Sequence, residues 1–165
     1  MPFMHFDSSA FLAEPDLLLA LRRYEFPVDC LEDCVLFCQG DEPTGIYVFH
    51  SGVGTILQES PSGTPVATVP ARPGALLGVS ALVRGVPFSM TAVAKAGAQV
   101  GFVTRSALLA LMLSEPLFAL MILRVLAAEV LSTRAAFSER PTRTHRGHTL
   151  KRKRSWLGFR IQAAD

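Results

Sequence analysis

The chain has 165 residues, half of them apolar and 18% charged. That length suits one domain, and with 12 Gly and 3 Cys the composition excludes a disordered chain, a collagen-like repeat and a disulfide-dense scaffold. The net charge of +2 conceals a division, because residues 1–139 hold 8 Lys/Arg against 13 Asp/Glu, whereas residues 140–165 hold 8 Lys/Arg against one Asp.

Residues 1–13 are weakly patterned and are expected to be loose. Met1-Pro2-Phe3-Met4-His5 has no basic stretch leading into an apolar run, so no secretory signal is read and a cytoplasmic location is expected. Residues 14–24 (EPDLLLALRRY) predict a short helix. Pro15 sits early, where a missing N–H costs nothing, and Arg22 and Arg23 sit near the negative end of the helix dipole.

From residue 26 to 104 short apolar runs alternate with Gly, Pro and Ser at intervals of about ten residues. Candidate strands are 35–38, 46–50, 55–58, 66–69, 91–94 and 99–103. Evenly spaced short strands predict a sandwich or small barrel. The segment 74–85 (GALLGVSALVRG) is rich in Leu and Ala, and predicts a turn plus a short helix rather than a strand.

From Arg105 the apolar period becomes helical. Ser106 is read as the cap of a short helix over 107–113. Ser114 is read as the cap of a longer one that has Pro116 in its first turn and runs to Ser138. The stretch 107–131 is apolar, but Ser114-Glu115-Pro116 and Arg124 interrupt it, so two amphipathic helices are expected and not a membrane span. Within the long helix Ala119, Leu123, Leu126, Val130, Thr133 and Phe137 follow a 4-3-4-3-4 spacing, the heptad rhythm of a helix–helix seam. A second stripe, Phe118, Ile122 and Val125, is expected to face the strands. Two apolar sides on one helix predict a homodimer through the seam.

These elements carry a resemblance. Leu36-Phe37-Cys38-Gln39-Gly40-Asp41, Gly45-Ile46-Tyr47-Val48 and Ser51-Gly52 resemble the first half of a cyclic-nucleotide-binding domain. Pro73-Gly74-Ala75-Leu76-Leu77-Gly78 with Ala81-Leu82 resembles the start of that family's phosphate-binding cassette, and Pro87-Phe88-Ser89-Met90-Thr91-Ala92 resembles its end. The match covers roughly residues 15–138, and its flavour is that of bacterial catabolite-activator-like regulators. It implies a mainly β fold, a double-stranded β-helix or jelly roll over about 26–104, followed by a short helix and a long C-terminal helix over about 106–138. It also implies a regulatory, signal-transducing role without enzymatic activity. No resident cofactor is implied, although a cyclic nucleotide or another small effector would occupy the pocket.

The resemblance places the ligand site at Gly78, Val79, Ser80, Arg84, Phe88, Ser89 and Thr91. In the family an Arg pairs with the cyclic phosphate and a Glu accepts from the ribose hydroxyl. This sequence carries Phe88 where the Arg is expected and Val79 where the Glu is expected. Losing a hydrogen bond to the charged phosphate costs about 1.5–3 kcal/mol and burying the unpaired ribose hydroxyl about 1–3 kcal/mol, so cyclic nucleotide binding is expected to be weaker by roughly two to four decades. Arg84, four residues upstream of Phe88, is a candidate replacement anion partner. Thr133 falls where one branch of the family has a helix residue touching the base, and it also lies in the seam.

Other chemistry has little support. Cys30, Cys34 and Cys38 repeat every four residues, with His50 as a conceivable fourth ligand, but small buried hydrophobes are the default for such Cys and no metal is expected. A metal-dependent jelly-roll enzyme needs several His converging with a carboxylate, and His50 is alone within the strands. The basic stretch 139–165 contains Arg143, Arg146 and Lys151-Arg152-Lys153-Arg154, then Trp156 and Phe159. It suits nucleic-acid phosphates or an anionic membrane surface, and it is too short for a winged helix-turn-helix. A regulator reaching DNA through this tail or through a partner is the alternative reading.

Overall fold

The computed structural model describes residues 6–138. Helix α1 (Pro15–Leu21) precedes eight strands: β1 (Glu25–Val28), β2 (Cys34–Phe37), β3 (Gly45–Ser51), β4 (Gly54–Glu59), β5 (Pro65–Ala71), β6 (Ala75–Leu77), β7 (Thr91–Ala94) and β8 (Gln99–Thr104). Helix α2 (Val79–Arg84) lies between β6 and β7, and α3 (Arg105–Ser114) and α4 (Pro116–Ser138) follow β8. The strands form two antiparallel sheets of four, ordered β1-β8-β3-β6 and β2-β7-β4-β5. This is the expected jelly roll with flanking helices.

The sequence pattern decides the layering. Strand β5 alternates, with Ala67, Val69 and Ala71 buried and Thr68 and Pro70 exposed, so its sheet shows one face to water. Strand β3 has apolar side chains on both faces. Phe49 packs with Ile56, Val69, Leu77 and Val100 between the sheets. Ile46 and Val48 point the other way and pack under Leu17 of α1, Leu82 of α2, Leu108 of α3 and Ile122 of α4. The helices therefore form a third layer on the outside of the β1-β8-β3-β6 sheet. Ile122 and Val125 sit in that layer with Phe118 against it, as the second stripe requires.

Several boundaries differ from the sequence reading. Residues 75–77 form β6 despite their Leu and Ala content, because all three are buried and pair with Phe49, Val48 and Tyr47 of β3. Strand β1 contains Pro27, which is tolerated because β1 is an edge strand paired only with β8. Thr104, not Ser106, caps α3, its hydroxyl accepting from the Ala107 amide at 3.3 Å. Ser114 does not cap α4. It ends α3, and its hydroxyl donates to the Leu111 carbonyl at 3.2 Å. Pro116 bars helical backbone at the residue before it, and Glu115 takes φ −131°, ψ 89° as the break. The start of the chain is not loose over its described part. Ser8–Phe11 form a 3-10 turn capped by the Asp7 carboxylate, and the Asp7 amide donates to the Ser132 hydroxyl of α4 at 2.9 Å.

Helix α4 is long and apolar enough over Pro116–Ala136 to cross a membrane, with a mean hydropathy of 1.7. One of its faces is nevertheless buried on the protein through Met121, Ile122 and Val125. The basic tail and its nucleic-acid and membrane readings lie outside the described residues.

Candidate ligand-binding site

A cavity of about 610 Å³ opens where the jelly roll, α2 and α4 converge. Phe37, Ile56 and Leu77 form its inner wall, and Phe6 and Phe11 of the N-terminal segment close another side. Gly78, Ser80, Arg84, Phe88 and Ser89 come from the cassette, and Thr133 reaches it from α4. The structure thus brings together six of the predicted site residues.

Gly78 and Phe88 set the shape. Gly78 has φ 88°, a left-handed conformation that favours glycine. A Cβ there would lie 2.6 Å from Cε1 of Phe88, so the aromatic ring sits directly against the glycine backbone. The ring is stacked on Phe37, with centroids 4.0 Å apart and planes at 20°. The Phe88 backbone is pinned as well, because its amide donates to the Asp41 carbonyl at 2.9 Å and its carbonyl accepts from the Gly40 amide at 2.8 Å. Gly40 and Asp41, singled out in the sequence, therefore serve to place the cassette's end.

Two predicted positions do not reach the cavity. Val79 is fully buried, but it belongs to the helix-side core with Leu17, Ile46 and Val103. An apolar side chain at the start of α2 gains more by joining that core than by facing a polar pocket. Thr91 is engaged elsewhere, its hydroxyl accepting from the Gln39 amide at 2.9 Å. Thr133 lines the cavity, yet its hydroxyl donates to the Glu129 carbonyl one turn back at 2.8 Å, which occupies its proton.

Glu129 was not singled out by the sequence. It lines the cavity beside Ser80, Ser132 and Thr133. Burial pushes its carboxyl up to about 7, and the Ser80 hydroxyl draws it partly back. The signal was there to read, since Glu129 is the sole acidic residue in the 23-residue apolar helix α4. Phe6 and Phe11 were missed because they lie in a segment without periodicity.

The seam residues divide. Leu123 and Val130 are 54% and 49% exposed, whereas Leu126 packs on the helix-side core, and both Leu126 and Val130 line the cavity. Ala119 and Thr133 are partly buried, and the side chain of Phe137 lies outside the described set. A second cleft is lined by β1, the end of β3 and the start of β8. There His50 Nε2 meets Glu25 Oε2 at 2.6 Å, and Cys30 also lines it. Cys34 is partly buried and Cys38 exposed. Among the described residues no three His, Cys, Asp or Glu are grouped to hold a metal ion.

The cassette glycine, the short helix after it, the pocket under α4 and the two sheets together form one recognisable arrangement, and the model of the cyclic nucleotide-binding domain family matches residues 27–115. The chain belongs to that family. The match spans the jelly roll and ends as α3 gives way to α4, so the Glu129 segment lies beyond it. Solved structures of similar fold superpose on about three quarters or more of the chain. The catabolite activator protein of Thermus thermophilus shares 22% identity at a TM-score of 0.67, over 76% of this chain and 59% of that one. The N-terminal domain of a transcriptional regulator from Streptomyces coelicolor A3(2) shares 22% identity at 0.58, over 81% and 92%. A cyclic nucleotide-binding domain from Methylobacillus flagellatus shares 22% identity at 0.59, over 76% and 71%. The chain thus spans about three fifths of the Thermus protein. No curated protein sequence matches it.

Proposed function

We propose that this chain is a cytoplasmic, non-enzymatic regulatory domain that keeps the family's pocket but has lost its grip on the cyclic phosphate. The observation that carries the reading is the Phe88 ring, laid on Gly78 and stacked on Phe37, at the position where the resemblance calls for an arginine. A phenyl ring offers no donor to an anion, and its face is electron-rich. The guanidinium fork that suits phosphate oxygens is absent from the place against Gly78, which the Phe88 ring takes, and Arg84 lines the cavity only from the exposed last residue of α2. Signal output would run through α4, which lines the pocket on one side and offers apolar side chains on another. A ligand that binds one arrangement of α2 and α4 better than another shifts the population of that helix.

Calorimetric titration of the full chain with cyclic AMP and cyclic GMP tests the loss. No binding is expected below millimolar concentration, and submillimolar affinity for either nucleotide overturns the reading. The second reading, a transcription regulator reaching DNA through its basic tail, is favoured by the 8 Lys/Arg among residues 140–165. Duplex binding that weakens steeply with salt and vanishes on deletion of 140–165 supports it. Binding unchanged by that deletion sinks it.

A further inference from the structure

We infer that the cavity between the jelly roll and α4 takes a small organic cation with an apolar or aromatic body, its nitrogen held by Glu129 and its body by the surrounding phenyl rings. The inference rests on the loss of the phosphate clamp and names what replaces the nucleotide. Four rings, Phe6, Phe11, Phe37 and Phe88, line one cavity with a single carboxylate. Rings attract an ammonium through their faces, and a carboxylate attracts it by charge-assisted hydrogen bonding. A mostly buried carboxylate disfavours an anionic ligand in the same space.

The other charged groups on the cavity are Arg84 from α2 and Arg134 from α4, both exposed, whereas the Glu129 carboxyl is governed by burial and the Ser80 hydroxyl. Gln58, Ser80, Ser89, Ser132 and Thr133 complete the polar lining and carry no charge. Asp7, on the N-terminal segment packed against α4, is held below its ordinary value by hydrogen bonds from Ser9 and stays ionised. Histidine contributes nothing here, since His50 lines the other cleft and is the sole histidine among the described residues. Glu129 is thus the one group of this cavity that changes charge near neutrality.

The experiment is calorimetry on the full chain with phenethylamine, tryptamine and phenylbutylamine, with phenylpropionate as the anionic counterpart and cyclic AMP as a separate arm. At least one amine is expected to bind at submillimolar concentration at pH 8. With Glu129 titrating at about 7, roughly a tenth of it is ionised at pH 6 and nine tenths at pH 8. Amine affinity is therefore expected to fall about tenfold from pH 8 to pH 6. Glu129→Gln is expected to weaken the amine at least tenfold and to remove the pH dependence. Phe11→Ala is expected to weaken it while leaving the pH dependence in place.

Failure of all three amines to bind overturns the inference, and so does equal binding of phenylpropionate or an unchanged affinity in Glu129→Gln. If the amines fail and cyclic AMP also fails, the reading of a lost clamp stands and only the cation is wrong. Submillimolar cyclic AMP binding overturns that reading itself.

Discussion

Phe88 and Val79 replace the two residues that the family resemblance marks as discriminating, and the structure treats them differently. Phe88 faces the pocket and fills space against Gly78. Val79 turns into the helix-side core and faces no ligand. Restoring the two side chains should therefore give opposite results. Phe88→Arg places a guanidinium beside the cassette glycine and is expected to raise cyclic AMP affinity at least tenfold by calorimetry. Val79→Glu would bury a carboxylate among Leu17, Ile46 and Val103, and is expected to destabilise the fold by several kcal/mol in urea unfolding. Glu129 gives a prediction with a definite sign. Its carboxyl is raised from 4.5 to about 7 in the folded chain, so the folded state holds the proton more tightly. The stability this supplies is complete below about pH 4.5 and is lost as pH rises through about 7. Wild-type stability is expected to drop by about 3 kcal/mol relative to Glu129→Gln over that window, from the size of the shift. Parallel urea-unfolding curves at pH 4.5 and pH 8 would rule the effect out.

At the scale of elements, α4 is the piece whose packing decides most. Its inner stripe joins a core that β3 also feeds from Ile46 and Val48. Ile122 is fully buried there. Ile122→Ala is expected to cost about 2–5 kcal/mol of unfolding free energy, because it removes transfer energy and leaves a cavity. The loss should fall mainly on the docking of α4, and a chain with unchanged stability would show that the helix is not held by this stripe. The ion pair between Arg124 and Glu14, at 2.6 Å, adds little because both side chains are about half exposed. The N-terminal turn adds a second attachment through the Asp7 amide and Ser132.

At the scale of the molecule, the outer side of α4 remains apolar and exposed. Leu117, Leu120, Leu123, Val130 and Leu131 are each 46% to 64% accessible. Such a stripe is what a homodimer seam requires. The paired change Leu120→Glu and Leu123→Glu, at exposed positions outside the cavity, is expected to give a monomer in analytical ultracentrifugation, while the wild type sediments as a dimer. A monomeric wild type would remove the dimer from the proposed function. It would leave the pocket argument intact, because every group named there comes from one chain.

While the jelly roll itself was implied by the family resemblance, a sandwich or small barrel followed by two helices, and the apolar stripe of α4 facing the strands, were legible in the sequence because period and punctuation encode them locally. Strand β6 was not, since three residues are too few to show a period and only their burial against β3 makes them a strand. Nor was β1, whose Pro27 fits only at an edge that the sheet order assigns. The cassette was legible as a set of positions through its glycines and flanking residues. Which of those positions face the ligand was decided by three-dimensional packing. Val79 left the pocket for a core assembled from residues as distant as Leu17 and Val103, and Phe6, Phe11 and Glu129 entered it from the two ends of the described chain. Local pattern fixes which face of an element is apolar. Which apolar or charged group shares a cavity with which other depends on contacts between distant segments, and these exist only once the layers have closed.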